Sequence, residues 1–303
     1  MPDLSITRGP VSRRLPRRHT LAPFLLQAPS VTALLLWSIV PLVMTLWFSF
    51  RRYNLLEPSQ TGFAHLENYR YLLGDPSLGP AILNTFLLVG WVLVITVGLG
   101  TLLAILYDQD FFGRSVTRVM VVAPFFVMPT VSALIWKDML LDPENGVVAF
   151  LMRSVGLKPI NWFGTAPLTS IVLIVSWQWL PFAVLTLLTA VQSLDQERKE
   201  AARMDGAGPL AMFIYIIRPH LGRAIAAVTM VETIFLLTVF AEILVTTGGG
   251  PGYSTTNLSY LVYRYALLET DIGAASVGGV LAILLANLVA LFLMRSIAKN
   301  LDA

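Results

Sequence analysis

Apolar and polar positions divide the chain into six long greasy windows separated by short polar connections. The windows cover residues 21–50, 81–107, 119–136, 167–194, 224–245 and 273–294. Each is long enough to cross a hydrocarbon core, which takes about 20 apolar residues as a helix. The first window far exceeds the ~7 to 15 residue core of a secretory signal, so it is expected to stay as a span. The pattern predicts an all-α polytopic membrane protein with six transmembrane helices, a tail over residues 1–20 and one membrane domain over 21–303. Between the first two windows and between the third and fourth lie longer polar segments; residues 146–157, with Val147, Phe150, Leu151 and Arg153, suit an amphipathic helix at the outer interface.

One connection stands apart. Between the fourth and fifth windows runs the densely charged SLDQERKEAARMDGAGP, from Ser193 to Pro209, continuing to Ile216, Ile217, Arg218 and Pro219. Ser193 with Gln196 three residues on reads as a capping box, which predicts a short helix from Leu194 that stops at Gly206. Pro209 suits the first turn of a second short helix, and Pro219 is expected to end it. On that helix Phe213, Ile216 and Ile217 share a face. The two helices should form an elbow that projects from the membrane.

Composition agrees with the class. Of 303 residues 56% are hydrophobic and 13% charged, with a mean hydropathy of +0.72, against roughly 25% charged residues in soluble domains. There is no cysteine, which excludes disulfides and thiolate chemistry. A net charge of +3 is too small to point to nucleic acid. The placement of the positive charges is more informative. With the N-terminus inside, 14 of the 21 Lys and Arg residues fall on inner segments, including Arg8, Arg13, Arg14, Arg17 and Arg18 in the tail and Arg198, Lys199, Arg203, Arg218 and Arg223 around the elbow. The positive-inside rule then places both termini and the elbow in the cytoplasm.

At the elbow the residues resemble a known family. Glu200-Ala201-Ala202, then Asp205-Gly206-Ala207, Phe213, Ile216 and Pro219 are similar to the EAA loop of binding-protein-dependent ABC importer permeases, whose pattern is EAA, two residues, DGA, and later F, I and LP. Arg218 departs from the usual Leu. Residues 63–69 (FAHLENY), 123–129 (APFFVMP) and 246–251 (TTGGGP) resemble the maltose-type sugar permeases. Residues 125–134, 177–188, 240–252 and the ending Lys299-Asn300-Leu301-Asp302-Ala303 look most like the sorbitol and mannitol permeases.

The resemblance implies a heterodimer of this chain with a second permease, two ATPase subunits and an extracytoplasmic substrate-binding protein, in the bacterial inner membrane. It implies that Glu200, Ala201, Ala202, Asp205, Gly206, Ala207 and Gly208 form the coupling helix that docks on an ATPase. ATP and Mg would sit on those partners, with no cofactor and no enzymatic activity in this chain. The implied cargo is a polyol such as mannitol or sorbitol, with another sugar or an oligosaccharide as the alternative.

Candidate chemistry within the chain is sparse. The only Gly-rich segment, Gly248-Gly249-Gly250-Pro251-Gly252, lacks the Lys of a P-loop. On the outer face it is either a contact for the binding protein or a flexible reversal. Burying a charge in a bilayer costs at least about 2.5 to 3.5 kcal/mol, which singles out Glu232 and Glu242 as substrate ligands or gate partners, or else as paired or protonated acids. Trp177, Gln178 and Trp179 at middle depth offer aromatic planes beside an amide, a surface suited to a polyhydroxylated ligand; Asn84 and Asn287 are weaker candidates. The windows contain no Lys or Arg, which disfavours a phosphorylated cargo. A proton-coupled carrier using Glu232 is the other transport class, but no internal repeat of the kind such carriers show is present. His19, His65 and His220 lie outside the windows, and no metal cluster or nucleophile with a base is evident.

Overall fold

A computed structural model describes residues 22–57, 59 and 61–301, with side chains between 26 and 295. The basic tail over residues 1–20 lies outside the described residues, as do Asp302 and Ala303.

The described chain is helical but for one small antiparallel pair. Helix α1 (Ala22–Ser49) leads to β1 (Arg51–Arg52) and β2 (Gly62–Phe63), with Arg51 opposite Phe63. Next come α2 (Glu67–Leu73), α3 (Leu78–Asp108), α4 (Arg114–Val122), α5 (Pro129–Leu134), α6 (Val147–Ser154), α7 (Trp162–Thr165) and α8 (Pro167–Gln192). The chain continues through α9 (Gln196–Met204), α10 (Pro209–Ala211), α11 (Arg218–Leu236), α12 (Ala241–Thr246), α13 (Leu258–Tyr263) and α14 (Ile272–Leu301). Contacts divide it into a unit ending at Met44, which among the described residues is a single apolar helix, and a unit from Thr45 onward.

Among the described residues five helical stretches are long and apolar enough to cross a membrane: Leu26–Ser49, Leu78–Asp108, Pro167–Gln192, Pro209–Leu236 and Ile272–Arg295. A sixth arises if Arg114–Phe126 and Pro129–Leu140, which meet at 106°, count as one. The window over 119–136 is therefore a broken helix and not a straight one. Proline is the cause. Pro129 has no amide donor and forces the residue before it out of the helical region; Met128 is extended (φ −60°, ψ 140°) and so is Val127 (φ −83°, ψ 130°).

The fifth window is also displaced. Its helix begins at Pro209 and ends at Leu236, before residues 237–240 break the path and α12 resumes. Pro219 does not end a short helix as the sequence suggested. It follows a π turn over Met212–Ile217, where amides bond five residues back, and this wider turn accommodates the missing proline donor within one long helix.

The second unit is centred on α3 against α8. Gly100 lets the two approach: a Cβ there would lie 2.9 Å from that of Ala183. Ala104, Ala183, Leu187 and Val228 bury themselves around this contact, so close packing of small residues does here what the hydrophobic effect cannot do in lipid.

Candidate functional site

The elbow begins where α8 releases the chain. Leu194 is buried in the core, so the helix cannot start there; instead Asp195 is the N-cap, its Oδ1 accepting from the Glu197 amide at 3.1 Å. Ser193 Oγ is not a cap: it donates to Ala190 O at 2.8 Å and lies 3.1 Å from His220 Nε2. The expected start at Leu194 thus moves to Gln196. The stop at Gly206 is as read. Gly206 is left-handed (φ +85°), its amide bonding Arg203 O at 3.0 Å while Ala207 N bonds Ala202 O at 2.9 Å, a Schellman closure.

α9 has two faces. Glu200, Ala201, Asp205, Gly206 and Gly208 are exposed, and Met204 is 88% exposed, an apolar side chain left in the open. Ala202 and Ala207 are half-buried, with Ala202 packed on the core beneath. Lys199, in the sequence only one of the inner-segment charges, is buried and donates to Asp108 Oδ2 at 2.8 Å, at the end of α3. Its three-residue spacing from Ala202 was the available signal, since both share the inward face.

A cavity of about 430 Å³ opens at the break between the two halves of the bent helix. Phe125, Met128, Gln178, Trp179, Phe182 and Phe235 wall it, and none of its lining residues is charged. The break itself supplies part of the site. Val127 O, freed from the helical ladder, accepts from Gln178 Nε2 at 2.9 Å, while Gln178 Oε1 is buried with no partner among the described residues. Trp179 sits edge-on to Phe125 at 5.9 Å and tilted over Phe235 at 5.2 Å.

The other sequence candidates are elsewhere. Trp177 turns to Trp136, with ring centres 5.9 Å apart. Glu232 is fully buried between α11 and α3, its Oε2 accepting from Thr96 Oγ1 at 2.6 Å, and it does not line the cavity although Val231 beside it does. Glu242 is buried within α12. Asn287 bonds its own helix at Ile283 O. The aromatic residues Phe125, Phe182 and Phe235 could not be told from lipid-facing residues in the sequence, because a uniformly apolar window carries no face.

The Gly-rich loop is tied down by hydrogen bonds from within and from α3. Gly249 O accepts from Thr255 N at 3.2 Å and Thr256 Oγ1 at 3.0 Å, and Asn84 Nδ2 reaches across from α3 to Tyr253 O at 2.8 Å and Thr256 O at 2.9 Å. Gly249 itself is required: its φ is +87°, and a Cβ would fall 2.6 Å from both Thr256 Oγ1 and Tyr260. Gly250 is half-buried, whereas Gly248, Pro251, Gly252 and Tyr253 are exposed at the tip. Arg264 supports the tip from behind. It lies 6.0 Å from the Tyr253 ring centre and pairs with Asp75 at 3.2 Å and Glu269 at 3.0 Å, while Tyr265 donates to Asp75. Burial pushes the Asp75 carboxyl up, but hydrogen bonds from Ser77 and Tyr265 and the Arg264 charge outweigh it and hold it below its ordinary value.

Residues 96–303 match the family model described as a binding-protein-dependent transport system inner membrane component. The chain is 33% identical over 274 residues to a probable ABC transporter permease protein, y4oQ, of Sinorhizobium fredii, covering 89% of this chain and 88% of that one. It is 31% identical over 280 residues to the trehalose/maltose transport system permease protein MalF of Thermococcus litoralis, covering 90% and 92%. Among solved structures, a bacterial ABC transporter involved in the import of the acidic polysaccharide alginate has a chain of the same fold, with a TM-score of 0.78 at 21% identity over 92% of this chain and 95% of that one.

Proposed function

The chain belongs to the family of binding-protein-dependent transport system inner membrane components, and from that premise we propose that it is the permease subunit of an ATP-driven importer for a neutral polyhydroxylated solute. The elbow carries this reading. α9 has a buried side fastened to the bundle through Lys199 and Asp108, and an outer side where Glu200, Ala201, Met204 and Asp205 are free for a partner. A membrane subunit that does not itself hydrolyse ATP needs such a rigid handle. The partners we assign are two ATPase subunits carrying ATP and Mg, a second permease and a substrate-binding protein, with the elbow and both termini in the cytoplasm.

The coupling route follows from helix continuity. Only residues 205–208 separate α9 from the helix Pro209–Leu236, and that helix supplies Val231 and Phe235 to the cavity wall. A displacement of the elbow by the ATPases is therefore passed to the cavity wall through one continuous helix. ATP and the loaded binding protein bias the two states by binding them unequally. Of Gly248, Gly249, Gly250 and Pro251, we assign the binding-protein contact to the exposed Gly248 and Pro251 with Tyr253, held in shape by the buried Gly249 and the half-buried Gly250.

The uncharged cavity supports a neutral cargo. Trp179 offers an aromatic plane, and Gln178 an amide oxygen still without a donor, the combination that suits hydroxyl-bearing carbons. A sugar alcohol is the first reading, from the likeness of residues 125–134 and 177–188 to polyol permeases. The second is a di- or oligosaccharide, favoured by the trehalose/maltose and arabinooligosaccharide systems to which relatives belong. ATPase rate of the reconstituted complex, measured with its binding protein over mannitol, sorbitol, trehalose, maltose and longer sugars, separates them. Stimulation by polyols alone supports the first; stimulation by a disaccharide or larger sugar supports the second, and no stimulation by any of these solutes overturns the neutral-solute assignment.

A further inference from the structure

Arg218 stands where the similar loops carry Leu. Its guanidinium has neither a carboxylate within ion-pair distance nor a hydrogen bond among the described residues. It borders a cavity of about 330 Å³ between α3 and the Pro209–Leu236 helix, separate from the aromatic one. Val97, Gly98 and Leu102 form one wall and Phe213, Ile214 and Ile225 the other. Leu102 is 62% exposed, and it lies less than two turns before α3 ends at Asp108. The groove is therefore mostly apolar, the hydroxyl of Thr101 in its lining being spent on Val97 O, and it sits close to the elbow end of the bundle with one uncompensated positive charge on its rim.

We propose that this groove and Arg218 form a binding site for an anionic phospholipid of the surrounding membrane. The two features ask for different chemistry in one molecule. The groove walls are satisfied by an acyl chain, and the guanidinium by a phosphodiester, to which its planar fork can donate two parallel hydrogen bonds. A chain without a phosphate leaves Arg218 bare, and a free phosphate leaves the groove empty. Net negative charge on the headgroup adds to the attraction, as for basic pockets between transmembrane helices generally. Gly98 keeps the floor of the groove open: no atom lies within 4 Å of where its Cβ would be.

Lipid retained by the protein, purified from its membrane with whatever subunits accompany it and washed in a phosphatidylglycerol and phosphatidylcholine mixture, tests this by native mass spectrometry. Bound phosphatidylglycerol is expected over phosphatidylcholine. Arg218→Leu should lower that preference about fivefold, the factor one charge beside an anionic headgroup is worth. Gly98→Leu should displace the lipid with Arg218 intact, because its side chain fills the groove, and as it adds a better helix former it keeps the fold in question testable if Arg218→Leu fails to assemble. Equal phosphatidylglycerol retention by wild type and both variants overturns the site. So does a cross-link from position 98 to a second permease with no lipid retained, which would show a protein partner in the groove. The count does not depend on transport, so its failure and that of the importer reading are separate.

Discussion

Lys199 Nζ lies 2.8 Å from Asp108 Oδ2, with the two side chains 10% and 25% exposed. One charge pair thus fastens the elbow helix α9 to the end of the 31-residue α3. Removing one partner of a buried pair costs more than the pair contributes, because the other charge remains out of water.

Asp108→Asn leaves Lys199 without its counter-charge and should destabilise the elbow locally by up to about 3 kcal/mol, the low end of the range for buried pairs, since Asp108 is a quarter exposed. Amide exchange over residues 196–204 should quicken, and ATPase stimulation by the loaded binding protein should fall. Exchanging the two residues, Lys199→Asp with Asp108→Lys, should recover part of both. Unchanged exchange in Asp108→Asn would show that the tie does not hold the elbow.

Gly206 is left-handed with open space around its Cβ position, so substitution there meets backbone strain and no clash. Gly206→Asn should be nearly neutral, whereas Gly206→Val should cost about 1 to 2 kcal/mol and weaken co-purification of the ATPase. Equal behaviour of the two variants would argue against strain as the cause.

At Gly249 the left-handed strain and a clash coincide. Gly249→Ala should dislodge Thr256 and Tyr260 and abolish stimulation by the binding protein, while Gly252→Ala, also left-handed but open, should be milder. Asn84→Ala removes two hydrogen bonds from the same loop, about 1 to 3 kcal/mol for each carbonyl left unpaired. Proteolysis at residues 248–253 reads the loosening directly.

The Asp75 carboxyl is held below its ordinary value of 3.8. A depressed folded-state value means a contribution to stability that is full above the unfolded value and lost as pH falls through the folded one. Thermal unfolding in detergent should therefore show an acid-side loss below about pH 4 that Asp75→Asn lacks, with the variant less stable than wild type near neutrality. Parallel curves for the two proteins would remove Asp75 from the acid response.

Trp179 and Glu232 make opposite predictions. Trp179→Ala removes an aromatic wall of the cavity and should raise the half-saturating solute about tenfold, equivalent to about 1.4 kcal/mol. Glu232→Gln retains a partner for Thr96 and lies outside the cavity, so uptake affinity should hold. A large affinity change in Glu232→Gln with none in Trp179→Ala would move the cargo site to the α3 and α11 interface.

Much of the architecture was legible in the chain because lipid imposes it. Twenty apolar residues have one way to satisfy their amides in hydrocarbon, so the long helices α3, α8 and α14 appear close to their windows. Gly206 was legible for a similar reason: few residues tolerate a left-handed helix stop. Local rules failed where two elements competed for one segment. The Ser193 and Gln196 box lost to Asp195 because Leu194 is needed in the core, and Pro219 failed to stop a helix because the π turn before it absorbed the defect.

What only the tertiary structure decided is which side of an apolar helix faces what. In the sequence Glu232 stood out by its charge and Gln178 only as an amide between two Trp residues; folding sent the first to Thr96 and the second to the broken helix at Val127. Lys199 in the sequence is only one of the inner-segment positive charges; its partner Asp108 lies 91 residues earlier and was brought to it by the fold. Periodicity describes a helix in isolation, whereas a partner that arrives from distant sequence is chosen by packing. That is why the elbow's motif belonged to the sequence and its anchorage to the fold.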